Sequence, residues 1–431
     1  MNLPPYPLIE GFWIRNYKAL RQIAIGSSFQ QSVVMDFSGE VVPYELTPFT
    51  LFAGDSGTGK STVLDAFAFL ADCLNHGINE ALHRRGGFEA VRHFGEKEPI
   101  SFGVVYRPCA EQRSLTYILN IDIDRHNHPF VETEALVYRD HQPNSQPQPI
   151  LLFKNGDTRV RHVRPWVGGS GSALAQVKET NSLHLGLAAL AQFEDLPDIP
   201  QFKHYLDKFF VSHYLSSNAT KLSPPQFKMA SEGNLALDLK RIRDKHTTDF
   251  AGIWEVMTQR LPGIEKANLE LSESGRLVLS FRVPGHDTPI YSSQIGEGTL
   301  RLLSHLTFFE DPIPTPLLGI EEPAAFMGYS QIVTFVELLQ HHIRELGGTQ
   351  FFATTNNNIL IDQMDPTEVW FLTQNEHGTI QASRGLDELQ FLDVDLDAIG
   401  PFWYSQYLYT AQTTNPVQGS CILNRPRPPK A

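Results

Sequence analysis

The sequence contains little cysteine and no cysteine pattern of the kind that builds disulfide frameworks or zinc sites. Its three cysteines, Cys73, Cys109 and Cys421, are odd in number and widely spaced, and no C-x-x-C pair occurs. A disulfide framework needs paired cysteines, and a zinc site needs closely spaced ligands. The cysteines therefore indicate neither, and we expect inert thiols.

The sequence also lacks long apolar runs and a secretory leader. No run approaches the roughly 18 apolar residues that span a membrane. The start, MNLPPYPLIE, has neither the basic nor the apolar region of a signal peptide. We therefore expect a cytoplasmic protein with no membrane partner. At 431 residues, the chain is long enough for two or three lobes, each with its own core.

Positive charge is scarce relative to negative charge, and the formal net charge is −13. Such a balance argues against a protein coated in positive surface that grips duplex DNA along its length. Two dense basic clusters remain, and we interpret them as solvated faces, with contact to nucleic acid or a partner as the alternative. The clusters are Arg159, Arg161 and Arg164, and Lys240, Arg241, Arg243 and Lys245.

The strongest chemical signal is an apolar strand that runs into a glycine-rich loop, LFAGDSGTGKS, from Leu51 to Ser61. The pattern G-x-x-x-x-G-K-S after a strand and before a helix is the phosphate-binding loop of nucleoside triphosphatases. Lys60 would reach the β and γ phosphates of ATP or GTP, and the Ser61 hydroxyl would complete the shell of a Mg²⁺ ion. The residues that we expect to bind nucleotide here are Gly54, Asp55, Ser56, Gly57, Thr58, Gly59, Lys60, Ser61 and Thr62.

A second strand ends in two adjacent carboxylates. The apolar run from Leu317 to Ile320 precedes Glu321 and Glu322, which is the form of a Walker B site. One acid of such a pair binds Mg²⁺, and the next polarises the water that attacks the γ phosphate. We assign Glu321 to the metal and Glu322 to catalysis.

A further segment is a candidate for contact with the nucleotide. Gly296, Glu297 and Gly298 open a predicted helix, whose free backbone amides suit an anion.

Hydrophobic periodicity predicts an α/β fold. We expect strands at 12–20 and 32–37 to flank the phosphate-loop strand in one sheet, and a helical lobe over 200–260. Alternating strands and helices after residue 286 predict a parallel sheet covered on both faces. We therefore divide the chain into an ATPase lobe with the phosphate loop (1–110), an inserted β and helical part (111–285) and a second ATPase lobe (286–431).

The order of these motifs resembles the ABC-type AAA ATPases related to RecF, SMC and OLD proteins, in particular a compact subgroup without long coiled coils that includes ATPases of bacterial anti-phage systems. The likeness covers nearly the whole chain. It rests on FWIRNYKAL from Phe12, the phosphate loop, GNLA from Gly233, GEGTLRLL from Gly296, IEEP from Ile320 and ATTN from Ala353.

The resemblance implies an ABC-ATPase head in which two heads sandwich two ATP molecules, with Gly298 and its neighbours acting on the partner's nucleotide. It also marks departures from the family pattern. Gly296 stands where relatives carry Ser, Glu297 where they carry Asp, and Asn356 where they carry a switch histidine. At this position the Asn356 side-chain amide can donate one hydrogen bond to the γ phosphate but cannot carry a proton, so we expect slow hydrolysis or nucleotide sensing.

Three functions remain open at this stage. The first is a Mg²⁺-dependent ATPase whose nucleotide-driven dimerisation or higher oligomerisation regulates a separate effector protein, for example a nuclease, in genome maintenance or anti-phage defence. The second is a nucleotide-dependent scaffold or sensor that does not hydrolyse ATP. The third is a repair clamp that acts directly on DNA.

Other polar and aromatic residues receive structural interpretations. We expect His126, His128, His341 and His342 to be solvated rather than metal ligands, because no third ligand has suitable spacing. Arg84 and Arg85 either form a surface turn or contact nucleotide or DNA. The aromatic segment 391–409 packs into the core or forms a partner patch, and we favour the core.

Overall fold

The computed structural model describes residues 6–26, 46–108, 113–140, 148–154, 157–160, 175–177, 185–192, 197–214, 227–230, 232–245, 247–260, 263–271, 277–311, 315–375 and 377–387. Its strands are β1 Leu8–Tyr17, β2 Leu20–Gly26, β3 Phe49–Ala53, β4 Ile100–Arg107, β5 Arg113–Ile123, β6 Pro129–Asp140, β7 Gln148–Lys154, β8 Asp157–Val160, β9 Ala175–Val177, β10 Phe210–Tyr214, β11 Phe227–Ala230, β12 Lys266–Leu271, β13 Leu277–Arg282, β14 Ile290–Tyr291, β15 Leu317–Glu321, β16 Gln350–Thr355, β17 Val369–Gln374 and β18 Ile380–Arg384. Its α-helices are α1 Lys60–His76, α2 Ile78–His83, α3 Phe88–Val91, α4 Gly186–Leu190, α5 Asp198–Asp207, α6 Glu232–Lys245, α7 Thr247–Arg260, α8 Glu297–Phe309, α9 Tyr329–His341 and α10 Asn358–Asp362.

A seven-stranded sheet carries the phosphate-loop strand at its interior, in the order β11-β10-β15-β16-β3-β17-β18. All neighbours from β11 to β17 pair in parallel, and only the edge strand β18 is antiparallel. Phe52 of β3 packs in one core with α1, while Leu51 packs in a second core with α8 and α9. The predicted α/β fold, a parallel sheet covered on both faces, is therefore confirmed.

An eight-stranded antiparallel sheet, β2-β1-β4-β5-β6-β7-β8-β9, lies against α1. The prediction that the strand at 12–20 flanks the phosphate-loop strand is wrong, because these residues belong to β1 and the start of β2. These two strands form a hairpin, and β1 pairs with β4 on its other side. The neighbours of β3 are instead β16 and β17, which reach it by crossovers that keep the strands parallel. The strand predicted at 32–37 falls outside the described residues.

The two sheets share the aromatic core around α1. The ring of Phe12 on β1 lies 5.1 Å from that of Phe67 on α1 and 6.0 Å from that of Phe352 on β16, measured between centroids. Gln350 also joins the sheets, because its side-chain amide donates to the carbonyl of Ile9 at 2.9 Å and accepts from the Ile9 N–H at 2.9 Å. The antiparallel sheet therefore buttresses the helix that follows the phosphate loop.

The prediction of a helical lobe over 200–260 is correct for α6 and α7 but misses two strands. β10 and β11 lie within this stretch and extend the parallel sheet beyond β15. β10 is only five residues long, and a short run of this kind carries too few periods to separate it from the helices on either side. The division at residues 110 and 285 stays a proposal, although it assigns β10 to the inserted part.

A small antiparallel sheet, β12-β13-β14, precedes α8 and contacts α6. Leu279 and Phe281 of β13 pack in the same core as Leu239 of α6 and Leu303 of α8. None of the helices in the described ranges combines the length and apolar composition needed to cross a lipid bilayer.

Candidate functional site

The predicted nucleotide residues are assembled at one edge of the parallel sheet. Strand β16 lies between β15 and β3, so the carboxyl ends of all three strands meet. Glu321, the last residue of β15, is opposite Thr354, and Thr354 is opposite Phe52. The edge of a parallel sheet at which strands end is where open α/β folds bind ligands.

The phosphate loop connects β3 directly to α1 and is shaped by glycines that cannot be replaced without strain. Gly54 has φ +155°, and a Cβ there would lie 2.4 Å from the carbonyl oxygen of Leu372. Gly59 has φ +84°, and a Cβ there would lie 2.8 Å from Leu20 Cδ2. The loop is therefore tightly enclosed at both ends, and its curled backbone leads into the N-terminus of α1.

Lys60 is the first residue of α1 and turns its side chain back into the loop. The residue is buried, and its Nζ donates to the carbonyl oxygens of Gly54 and Asp55, each at 2.7 Å. Burial lowers the pKa of the Lys60 ammonium, and the nearby carboxylates of Glu322, Asp55 and Glu321 oppose that shift. This places a cation inside the loop that leads into the N-terminus of α1, an arrangement that fits a polyphosphate.

Ser61 and Glu321 are joined across the sheet edge, because the Ser61 hydroxyl donates to Glu321 Oε1. A hydroxyl and a carboxylate side by side are hard oxygen ligands of the kind that Mg²⁺ prefers. In the part of the chain that the structure describes, no group of three or more His, Cys, Asp or Glu residues could hold a metal by itself. The pair therefore fits a metal that takes its remaining ligands from phosphate and water.

Glu322 has an unusual backbone conformation, with φ +46° in the left-handed region. Its N–H donates to the carbonyl oxygen of Thr354 at 3.1 Å, and its Oε2 accepts from the Asn356 N–H at 3.3 Å. Burial raises the pKa of the Glu322 carboxyl, while the Asn356 N–H and the charge of Lys60 partly oppose that rise. A carboxylate with a raised pKa is a stronger base than an exposed one.

Asn356 reaches the site through its backbone. The residue is exposed, and its N–H holds Glu322. The next residue has a structural role, since Asn357 Oδ1 caps α10 by accepting from the Leu360 N–H at 3.1 Å. The predicted contact from the Asn356 side chain to a phosphate stays a prediction.

The signature turn, Gly296 to Gly298, opens α8 as predicted. Gly298 is buried, and a Cβ there would lie 2.4 Å from the carbonyl oxygen of Phe326. Thr299 Oγ1 accepts from Gln331 Nε2 at 3.2 Å, which ties the turn to the start of α9. Gly296 is exposed and has no atom within 4 Å of a Cβ built upon it. The turn is therefore packed on the segment after Glu322, with Gly296 at its open end.

Sequence reasoning missed Arg301, which contacts the acidic pair from α8. Arg301 is only 3 % exposed, and its Nη2 donates to the carbonyl oxygens of Glu321 at 2.6 Å and Glu322 at 2.5 Å. The available signal was a charged residue inside an otherwise apolar helix, LRLLSHL. A buried arginine in such a helix needs a specific partner.

Contact of Arg84 or Arg85 with nucleotide or DNA stays a prediction. The two arginines form the turn after α2 that was expected as the alternative, but their side chains are mostly buried. Both belong to an internal ion network, in which Arg85 binds Asp65 at 3.0 Å and Asp72 at 2.6 Å, and Arg84 binds Asp72 at 3.0 Å. Asp72 is buried, so it requires cationic partners.

Of the predicted solvated histidines, His126, His128 and His341 are exposed, but His342 is not. His342 is 2 % exposed, and its Nδ1 lies 2.8 Å from the carbonyl oxygen of Phe309. It lies at the start of a π-helical turn that continues α9, and this turn rotates it into the core.

The basic residues of α6 are paired with neighbouring acids. Arg241 binds Asp311, and Lys240 binds Asp244 at 2.6 Å. This supports the interpretation as a folded or solvated face. Arg161 and Arg164 of the other cluster, and the aromatic segment 391–409, fall outside the described residues.

One protein-family model matches part of the chain. Residues 203–362 match the protein-family model described as "AAA domain, putative AbiEii toxin, Type IV TA system". This segment holds the signature turn, the acidic pair and Asn356, and the phosphate loop precedes it. No curated protein matches the chain.

Solved structures with a similar chain path include the SMC head domain from Thermotoga maritima, at 13 % identity and a TM-score of 0.39, covering 87 % of this chain and 98 % of that one. An Smc head bound to the C-terminal winged-helix domain of ScpA has 16 % identity and a TM-score of 0.42, covering 88 % and 98 %. An Smc head with an extended coiled coil, bound to a domain of ScpA derived from Pyrococcus furiosus, has 14 % identity and a TM-score of 0.41, covering 90 % and 99 %. Residues 203–362 are therefore similar to an AAA domain, and the order of the motifs along the chain resembles that of ABC-type AAA ATPases.

Proposed function

We propose that the chain binds MgATP at the phosphate loop and hydrolyses it slowly. The observation that carries the proposal is the convergence of Lys60, the Ser61–Glu321 pair and Glu322 at one sheet edge. These are a phosphate-binding cation, a pair of oxygen ligands and a base with a raised pKa, which together make up the parts of a phosphoryl-transfer site.

Each residue has a separate role in this proposal. Lys60 leaves the carbonyls of Gly54 and Asp55 and offsets charge on the β and γ phosphates. Glu322 accepts a proton from the attacking water, and the Asn356 N–H fixes the carboxylate that does so. Ser61 and Glu321 would hold Mg²⁺, which neutralises charge that develops on the phosphate oxygens when it is bound.

We further propose that ATP joins two copies of the chain head to head, each signature turn completing the partner's nucleotide site. Three exposed aromatic residues around the turn support an interface there: Tyr291 at 43 %, Phe326 at 64 % and Tyr329 at 63 % exposure. Tyr291 begins the approach to the turn, and the Phe326 carbonyl abuts Gly298. Exposed apolar groups clustered in this way typically mark protein contacts.

Dimerisation or a higher oligomer would be the output that a separate effector protein reads, in genome maintenance or anti-phage defence. A clamp that grips DNA directly is less well supported, because the α6 cations are already paired with acids and the net charge is −13. A salt-dependent DNA affinity would be the sign of such a clamp.

Turnover of the Glu322→Gln variant tests the proposal. The amide keeps the shape of the side chain but cannot accept a proton, so ATP binding should persist while hydrolysis falls by about 100-fold or more. Light scattering should show that the variant accumulates dimers with ATP. Glu265→Gln, an exposed change next to β12, is the matched control and should leave turnover unchanged.

If Glu322→Gln and the unchanged chain hydrolyse ATP at the same rate, Glu322 is not the catalytic base. The second candidate, a sensor that holds ATP without hydrolysis, is favoured by a specific observation. Gly296 offers no hydroxyl at the open end of the signature turn, so one polar contact to the transferred phosphate is missing. A sensor would bind MgATP and dimerise with no turnover above background in either form.

A further inference from the structure

One face of α8 holds the whole segment that carries the acidic pair. Gly298, Arg301 and His305 are spaced by three and four residues, so they lie in a row along the helix. Gly298 abuts the carbonyl of Phe326, Arg301 donates to the carbonyls of Glu321 and Glu322, and His305 Nε2 lies 3.2 Å from the carbonyl of Pro323. All three contacts are made to the backbone of residues 321–326.

The backbone is the part of this segment that decides where the Glu322 carboxylate points. Glu322 is in the left-handed region, which side-chain-bearing residues rarely adopt, so the surrounding contacts must maintain it. Its N–H is fixed by Thr354 on one side. Its carbonyl is fixed by Arg301 on the other.

Arg301 is also suited to this task by its chemistry. It is buried, and one nitrogen, Nη2, serves two successive carbonyls. A planar guanidinium holds such a pair in a fixed geometry, which a flexible ammonium does less well.

We propose that Arg301 is a positioning residue that links the signature turn to the catalytic acid of the same chain. Because Gly298 and Arg301 are one helical turn apart on a single rigid helix, a displacement of the signature turn moves the backbone at Glu321 and Glu322. Nucleotide engaged by the signature turn would thereby adjust Glu322 at the other nucleotide site, so the two sites of a dimer communicate through α8. This inference rests on the proposed ATPase function and names a route for its regulation.

The test compares Arg301→Met, which removes the donors, with Arg301→Lys, which keeps a cation able to reach a carbonyl. A misplacement of ~1 Å in a catalytic group costs on the order of 100-fold in rate. We therefore expect Arg301→Met to lower kcat by about 10- to 100-fold with ATP affinity unchanged within about two-fold. Arg301→Lys should recover part of kcat, and any cooperativity in the ATP dependence of turnover should be lost in Arg301→Met.

Hydrogen exchange supplies a readout that a general loss of stability would not reproduce. In Arg301→Met, amides of residues 317–327 should exchange faster, while those of 54–62 should keep their rates. Arg107→Met is the matched control. Arg107 is a fully buried arginine on β4 that pairs with Glu10 at 2.7 Å, in the other sheet. Its loss should lower the unfolding midpoint without a selective fall in kcat.

Two results would overturn the inference. One is an Arg301→Met protein with unchanged kcat, and the other is a parallel loss of ATP affinity and of protection in 54–62, which would mean a general structural role. If Arg301→Met does not fold, Arg301→Lys decides alone, because full kcat and unchanged exchange in 317–327 would count against positioning. Failure of the ATPase proposal is distinct, since Glu322→Gln would then leave turnover unchanged.

Discussion

The phosphate loop and the signature turn are both glycine turns that open a helix, yet they differ in how much of each is fixed by the chain itself. In the phosphate loop, Gly54 and Gly59 are enclosed, and the Lys60 side chain is held by two carbonyls. In the signature turn, only Gly298 is enclosed, and Gly296 faces open space. We call the phosphate loop a finished site, because contacts within one chain enclose both of its ends and hold its cation. The signature turn is unfinished, because contacts within the chain enclose only its inner side.

This difference explains why the signature turn suits an intermolecular role. Its inner side is occupied by Phe326 and Gln331, whereas its other side, at Gly296, is exposed. A ligand on that side would have to come from solvent or from a second copy.

The largest expected effect comes from Lys60→Ala, which removes the cation from the finished site. Charge-assisted hydrogen bonds are worth about 1.5–3 kcal/mol each, and Lys60 would make more than one to a triphosphate. We therefore expect ATP affinity to fall by more than about 100-fold. Calorimetry on the folded variant measures this, and Lys240→Ala, an exposed change on α6, is the control. Unchanged affinity would contradict the phosphate-loop assignment.

The structures of the phosphate loop and of the acidic pair could be predicted from local sequence patterns. The phosphate loop, the strand before it and the helix after it were predictable because their signals are contiguous: strand, loop and helix follow one another from Phe49 to His76. The acidic pair was predictable for the same reason. Local patterns specify local structure well when the run is long or the turn chemistry is special.

Features set by distant partners were not predictable. The alternation of β1 indicates a strand, but it does not say that the partner is β4 rather than β3. The sequence around Arg85 and Arg301 suggests surface residues, but both side chains are buried against specific partners. Arg85 binds Asp65 and Asp72. Arg301 donates to the Glu321 carbonyl. Burial of a charge depends on the tertiary arrangement of its partners, and no local window contains that information.

The second expected effect is a pH dependence of the free energy of unfolding, caused by Glu368 next to the phosphate-loop strand β3. Glu368 precedes β17 and accepts the N–H of Leu51 through its carbonyl oxygen at 2.8 Å. Burial raises the pKa of its carboxyl to about 7, with a contribution from Asp365. The folded state therefore holds this proton more tightly than the unfolded state, and stability should fall as pH rises from about 4.5 to about 7.

Glu368→Gln removes this titration, so the variant should gain stability over the unchanged chain as pH rises. The gain should be below about 1 kcal/mol at pH 5 and should rise to about 3 kcal/mol at pH 8, because each pKa unit corresponds to about 1.4 kcal/mol. Denaturant unfolding at the two pH values measures it, and Glu265→Gln is again the control. An equal difference at both pH values would mean that Glu368 does not titrate as described.

His305, on the helix α8 that follows the signature turn, should instead make the fold less stable in acid. Burial, with the charge of Arg301, lowers the pKa of His305 to about 3. The unfolded chain then binds a proton that the folded chain refuses, so this residue removes stability as pH falls from about 6.5 towards 3. The Glu368 region and the signature helix thus make opposite contributions to the pH dependence of unfolding.

The smallest expected effect is a gain in ATP turnover, and it comes from adding the missing polar groups at the signature turn and at Asn356. If Gly296 and Asn356 stand where relatives place Ser and His, the γ phosphate lacks two polar contacts that would strengthen in the transition state. The structure allows both replacements. Gly296 has φ −59° and open space around it, so Ser fits. Asn356 is exposed and holds Glu322 through its backbone N–H, which His preserves.

We therefore expect Gly296→Ser with Asn356→His to raise steady-state phosphate release by about ten-fold, if the contacts together lower the barrier by about 1.4 kcal/mol. ATP affinity should change less, because the phosphate loop is untouched. Asn358→His, an exposed change two residues further along, is the control for an added imidazole and should have no effect. The single variants apportion the gain. Unchanged or lower turnover in a well-folded double variant would contradict this prediction. It would mean that other residues have taken over these roles, or that the two loops do not correspond to those of the family. The exposure of Gly296 at the open end of the signature turn would then need another explanation.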